Sequence, residues 1–99
     1  MLLGAIEKLK QTQLQCIDTA EHSLVLIYQS EQFYLLDNYC PHKAAALCEG
    51  KLYGNEIECP WHKARFDIKT GAGLSTLSGK GIKSWPLRIE GDQLMAELD

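Results

Sequence analysis

The sequence predicts a small all-β domain that carries two metal-binding loops. Short runs rich in β-branched and aromatic residues recur between polar or glycine-containing turns, and no stretch sustains a long helical stripe. Set among those runs are Cys40-Pro41-His42 and Cys59-Pro60-Trp61-His62, each pairing a thiolate donor with an imidazole. At 99 residues the chain is one domain, 1–99, with no room for a second module.

Residues 1–10 fit two patterns: Leu2, Leu3, Ile6 and Leu9 make a short helical stripe, and the same stretch suits an edge strand. Leu14-Gln15-Cys16-Ile17 begins the β pattern, and Glu21-His22 interrupts it. Leu24-Val25-Leu26-Ile27-Tyr28 reads as a buried strand, Ser30-Glu31-Gln32 as a polar turn, and Phe33-Tyr34-Leu35-Leu36 as the partner strand. Asp37-Asn38 ends that strand and leads into the first ligand stretch. Lys51-Leu52-Tyr53 and Glu56-Ile57-Glu58 flank Gly54-Asn55, a pair tolerant of positive φ, and so form a tight hairpin. Phe66-Asp67-Ile68 follows the second stretch, and Gly71 through Gly81 reads as loop. Residues 85–89 and 94–98 around Gly91-Asp92 close the chain as a second hairpin.

Composition excludes several function classes. The net charge of −3 is not that of a nucleic-acid binder, which needs a concentrated basic face. No apolar run approaches the roughly 18–20 residues of a membrane span. Met1-Leu2-Leu3-Gly4-Ala5-Ile6 runs straight into Glu7 and does not read as a secretory signal, so a cytoplasmic protein is expected. Without an oxidising compartment the four cysteines are not expected to form disulfides. Cys16 reads as a small buried hydrophobe and Cys48 as a packed thiol. His22 reads as exposed in its polar turn, and Trp85 as core.

Cysteine with histidine suits zinc or iron, whereas magnesium and calcium take oxygen ligands. Sixteen residues separate His42 from Cys59, and the intervening hairpin would return Cys59 beside the loop that carries Cys40. A tetrahedral Cys2His2 zinc site has the same ligand types and number, and spacing alone leaves zinc and iron both open.

The flanking residues carry more. Cys40-Pro41-His42 runs on to Leu47 and Glu49-Gly50, Cys59-Pro60-Trp61-His62 runs on to Arg65-Phe66-Asp67 and Gly71, and Pro86-Leu87 precedes a closing strand. This pattern resembles the Rieske [2Fe–2S] domain over most of the chain from Leu24 onward. The resemblance implies a small antiparallel β-sandwich with two cluster-binding loops. It also implies a [2Fe–2S] cluster with one iron on Cys40 and Cys59 and the other on His42 and His62. Two neutral imidazoles in place of two thiolates make an added electron less opposed, which lifts such centres to roughly −150 to +300 mV, against about −400 mV for all-cysteine plant-type ferredoxins. With the core's charge cancelled by two thiolates, the domain holds its charge of −3 when oxidised and about −4 when reduced.

Within the resemblance, high-potential respiratory members place a serine and a tyrosine after the second motif, where they bond cluster sulfur. The matching positions here are Ala64 and Phe66, which carry no hydroxyl. Those members also link their two loops by a disulfide, and Trp61 stands where its second cysteine would be, leaving Cys48 no partner in that loop. Both differences predict a low-potential, ferredoxin-type centre. Ala44 and Lys63 replace glycines of the usual pattern, and the stretch 75–81 lacks the usual proline. Trp61 is expected to cover the cluster from one side. Lys43 and Lys63, each directly after a ligand histidine, with Arg65 close behind, are expected to make a locally basic tip for docking to an acidic partner face.

The resemblance implies a soluble one-electron carrier. It would take its electron from an NAD(P)H-dependent flavin reductase and pass it to a terminal (di)oxygenase, as a monomer docking weakly and transiently. The small Rieske-like subunit of an assimilatory nitrite reductase is the runner-up, and a zinc-stabilised binding module is the reading from another class. Catalysis by the chain itself is not expected: a Rieske oxygenase also needs a mononuclear iron site, and only His22 remains once His42 and His62 are spent.

Overall fold

Leu24-Val25-Leu26-Ile27 is apolar at every position, with none of the alternation of a strand that has one wet face. In the computed structural model, which describes residues 1–39, 45–61, 63–75 and 81–98, all four side chains are fully buried. They lie on β3 (Ser23–Gln29), the inner strand of an antiparallel sheet that also holds β2 (Leu14–Asp18), β4 (Gln32–Asp37) and β8 (Ser84–Trp85), in the order β2-β3-β4-β8. Successive β3 side chains point to opposite faces. Leu24 and Leu26 therefore join one core, with Leu35, Trp85, Leu94 and Ala96. Val25 and Ile27 join another, with Leu36, Leu47, Ile57 and Phe66.

Each core is closed by a further three-stranded antiparallel sheet. β1 (Leu2–Ala5), β10 (Gln93–Ala96) and β9 (Leu87–Glu90) cover the first face in the order β1-β10-β9. β5 (Lys51–Tyr53), β6 (Glu56–Glu58) and β7 (Arg65–Asp67) cover the second in sequence order. The expected antiparallel sandwich is thus present, built from three sheets with β3 in the middle one. Both readings of the first ten residues hold in part: β1 pairs with β10, and Ile6–Leu9 then makes a single helical turn, α1.

The hairpin at Gly54-Asn55 forms as expected, with Tyr53 paired to Glu56 and Gly54 at φ +60°. The β3–β4 hairpin is tighter than its sequence suggests. Gln29 pairs with Gln32, so Ser30 and Glu31 alone make the turn, both at positive φ. Loop residues 71–75 and 81–83 are tied together where Ile82 N–H donates to the Gly71 carbonyl at 2.8 Å. Gly71 and Gly81 both have positive φ, and a Cβ on either would run into backbone of the other segment.

Two cysteine readings are overturned. Cys16 and Cys48 form a disulfide, their Cα atoms 5.2 Å apart and 32 residues apart in sequence. Cys16 lies opposite Val25, so the strand pleat turns it toward the second core, where the 3₁₀ turn Leu47–Glu49 brings Cys48 alongside. Closing a loop of that length stabilises by about 3–4 kcal/mol in the chain-entropy account. His22 is half-buried, not exposed: its ring meets the Trp85 indole edge-on, centroids 5.0 Å apart.

Trp85 is core, as expected, and its polar atom is used. The indole Nε1–H donates to Asp37 Oδ1 at 2.8 Å, and the Lys83 ammonium lies 3.9 Å from a ring centroid. Trp85→Phe keeps most of the apolar burial but removes the donor to a carboxylate, and should lower unfolding stability by about 1.5–3 kcal/mol in denaturant titration.

Candidate metal centre

Both ligand stretches are closed at their bases by backbone bonds, and both bases rest on one core. In the first, Tyr39 bridges to Ala46, and Leu47 N–H donates to the Asn38 carbonyl at 2.6 Å. The chain must leave and return at this neck, with residues 40–44 between. In the second, β6 and β7 pair up to Glu58 opposite Arg65, and Cys59 N–H donates to the Ala64 carbonyl at 2.7 Å, so 59–64 is the loop of a hairpin. Ala45 and Leu47 from the first base share the second core with Cys59, Ala64 and Phe66 from the second. The intervening hairpin therefore returns Cys59 to the core under the base of the first loop, beside Ala45 and Leu47.

Of the four expected ligands, Cys59 is described and fully buried at the start of its loop. Cys40, His42 and His62 lie outside the described residues, as do Lys43 and Ala44. Trp61 is 59% exposed, which puts most of the indole toward solvent instead of under neighbouring protein side chains.

Asn38 is what sequence reasoning missed. It was read only as the end of a strand, yet it is the one buried polar side chain among the described residues. Its Oδ1 accepts Cys48 N–H at 2.8 Å, and its Nδ2 donates to Ser23 Oγ at 3.2 Å and Cys48 Sγ at 3.3 Å. Its own N–H donates to the Ser23 carbonyl at 2.9 Å. One side chain thus ties the start of β3, the neck of the first loop and the disulfide.

The expected basic tip is also revised. Arg65 Nε sits 3.2 Å from Glu58 Oε2, its Nη1 3.5 Å from Glu56 Oε1, and its guanidinium 4.2 Å from the Tyr53 ring centroid. Burial alone would lower its pKa, but the Glu58 and Glu56 carboxylates outweigh that and hold it above the ordinary value. This cation is engaged by two anions on its own sheet, so its charge belongs to that sheet. Lys63 stays exposed, and it occupies the left-handed region at φ +56°.

The donor set expected from the sequence, two thiolates and two imidazoles, would suit a cluster with unequally held irons. A profile of the "Rieske [2Fe-2S] domain" matches residues 1–86. The chain belongs to the Rieske [2Fe–2S] family. The naphthalene 1,2-dioxygenase ferredoxin component of Pseudomonas aeruginosa is 42% identical to this Rieske chain over 81 residues, 81% of this chain and 78% of its own. The ferredoxin of Sphingomonas yanoikuyae B1 superposes with a TM-score of 0.82 at 28% identity, covering 88% of this chain and 86% of that one. A chain from a complex of reduced oxygenase and oxidized ferredoxin in carbazole 1,9a-dioxygenase superposes with a TM-score of 0.89, covering 98% of this chain and all of that one, at 22% identity. That last likeness concerns the fold. This Rieske domain carries a [2Fe–2S] cluster, and it is an electron-transfer protein, not an enzyme. No helix among the described residues is long and apolar enough to cross a membrane.

A left-handed conformation costs an L-residue about 1–2 kcal/mol, which the family's usual glycine avoids. Lys63→Gly should therefore raise unfolding stability by about 1 kcal/mol after the entropy cost of glycine. Lys63→Ala, with its Cβ retained, should give no such gain in the same denaturation experiment.

Proposed function

We propose that this chain is the one-electron ferredoxin of an aromatic-ring dioxygenase system. It takes its electron from an NAD(P)H-fed flavin reductase and delivers it to the terminal oxygenase, and it does so in the cytoplasm. The observation that carries the reading is the likeness to the naphthalene dioxygenase ferredoxin component, because it extends over 78% of that protein's length. Cys40 and Cys59 would hold one iron, His42 and His62 the other. When bound, the cluster supplies a site that accepts and releases a single electron.

The protein's own residues do the rest. The bonds at each loop base hold the ligands for a small change in geometry on electron transfer. The core of Ala45, Leu47, Cys59, Ala64 and Phe66 keeps water from the underside. Docking is assigned to Lys63 and Lys43 against acidic groups of the partner, with Trp61 as exposed apolar surface two residues before Lys63.

Iron and acid-labile sulfide in equal amounts, with the electron paramagnetic resonance of a mixed Cys/His cluster, are expected for the purified protein. Zinc in their place would end the reading. The reduced protein should pass its electron to an aromatic-ring dioxygenase in single turnover, and Lys43→Glu with Lys63→Glu should slow that step most at low ionic strength. A rate equally insensitive to both lysines and to salt would remove them from the docking surface.

Ala64 is buried and carries no hydroxyl, in keeping with a low-potential centre. Ala64→Ser would supply a donor toward cluster sulfur. A hydrogen bond worth about 1.4 kcal/mol more to the reduced state raises a one-electron potential by about 60 mV. Voltammetry should show an upward shift of that order. An unchanged potential would mean that position 64 does not face the sulfur.

A further inference from the structure

The disulfide is not needed to close either ligand loop, and the family's respiratory members place theirs elsewhere. Its position beneath the first loop has its own consequence. Cys48 supplies two of three groups held by Asn38: Leu47 N–H on the Asn38 carbonyl at 2.6 Å, Cys48 N–H on Oδ1 at 2.8 Å, and Cys48 Sγ against Nδ2 at 3.3 Å. Asn38 lies two residues before Cys40, and the first loop returns to the same point through Ala46 and Leu47. The other half of the disulfide, Cys16, is on β2, paired across from Val25 in the central sheet. The neck of the first loop is therefore fastened to the rigid sheet twice, by Asn38 through Ser23 and by the Cys16–Cys48 bond.

We propose that Asn38 and the Cys16–Cys48 disulfide form a redox-responsive brace that positions the first ligand loop, and that a cellular dithiol releases it. The proposal rests on the reading of Cys40 and His42 as ligands. Cys16 is exposed and Cys48 half-buried, so the bond is open to attack from the Cys16 side. A thiolate of the dithiol attacks one protein sulfur and forms a mixed disulfide, breaking the Cys16–Cys48 bond. The second thiolate of the reagent then displaces the remaining protein thiol. The dithiol is oxidised to its own disulfide, and two electrons and two protons end on Cys16 and Cys48. Two thiols cannot stay at bonding distance, so the 3₁₀ turn must move from β2, and Cys48 is the residue that Asn38 grips. Where disulfides do occur in a reducing cytoplasm, they are mostly transient and redox-sensing. Released, the neck holds Cys40 and His42 less firmly, and the cluster is lost faster.

The test uses cluster-loaded protein prepared without reductant, with dithiothreitol as the dithiol. Alkylation under denaturing conditions followed by mass measurement should show Cys16 and Cys48 protected before treatment and modified after it. Bleaching of the visible absorption in the presence of an iron chelator should accelerate at least five-fold on treatment. The electron paramagnetic resonance g-values, recorded before bleaching, should shift with it. A Cys16→Ser/Cys48→Ser protein should bleach at the fast rate with or without dithiothreitol. Asn38→Asp keeps the acceptor for Cys48 N–H but loses both Nδ2 donors, and it should bleach at an intermediate rate with the disulfide intact. This second variant keeps the test open should the double serine protein not fold.

Cleavage of the disulfide with no change in bleaching rate or g-values would overturn the brace. So would an equal response to dithiothreitol in the double serine protein, which would place the effect on the cluster itself, and so would alkylation of Cys16 and Cys48 before any reductant is added. Absence of a mixed Cys/His signal from every form, untreated protein included, would instead overturn the ligand reading and the brace with it.

Discussion

Everything else in the molecule depends on β3 being buried on both faces. A strand with four consecutive apolar residues cannot leave either side to water, and burying each such side chain contributes roughly 1.5–3 kcal/mol. Sheets must therefore pack above and below it. The core on one side is purely structural, closed by the two chain ends through β1, β9 and β10. The core on the other side is closed by the hairpin between the two ligand stretches, and it contains the bases of both loops. The meeting of two loop bases far apart in sequence thus follows from the apolar packing between them. The metal completes an arrangement whose underside is already fixed.

Strand positions were legible because period and turn chemistry agree. The Leu24–Tyr28 run, the Gly54-Asn55 turn and the Gly91-Asp92 turn all appear where the sequence puts them. The family was legible because two Cys–His pairs with proline beside each cysteine have few other uses. What was not legible depends on the facing of single residues. Cys16 and Cys48 were read from compartment, which says how often thiols pair and nothing about which ones meet. The pleat held the better signal: Cys16 shares a face with Leu14, the face on which the first loop returns. Asn38 was hidden for a related reason, since an Asn after an Asp at a strand end is common turn chemistry. Only its burial sets it apart.

The shortest strands were the least legible, for a different reason. Short strands such as Arg65–Asp67 carry little periodic signal, and two-residue β8 carries none. Their existence is decided by pairing. Glu58 opposite Arg65 helps set the register of β6 against β7, with Arg65 reaching Glu58, Glu56 and the Tyr53 ring. Exposed pairs of this kind contribute little energy singly. Here they lie across the hairpin that carries the second loop, so they specify its register more than they stabilise it.

That use of Arg65 sharpens the meaning of Lys63. A family that usually places glycine here has a reason in the backbone, and the positive φ of Lys63 displays it. The lysine side chain is exposed, so packing does not offset the strain. Strained residues concentrate where function asks for them. With Arg65 committed to its own sheet, Lys63 is the cation among the described residues of the second loop, between a ligand position and the neck that fixes it. A charged residue kept where glycine would be more stable fits the proposed docking role, since its exposed side chain contributes no packing in return. The strain at Lys63 thus adds a backbone argument to the charge pattern that motivates the proposed docking role.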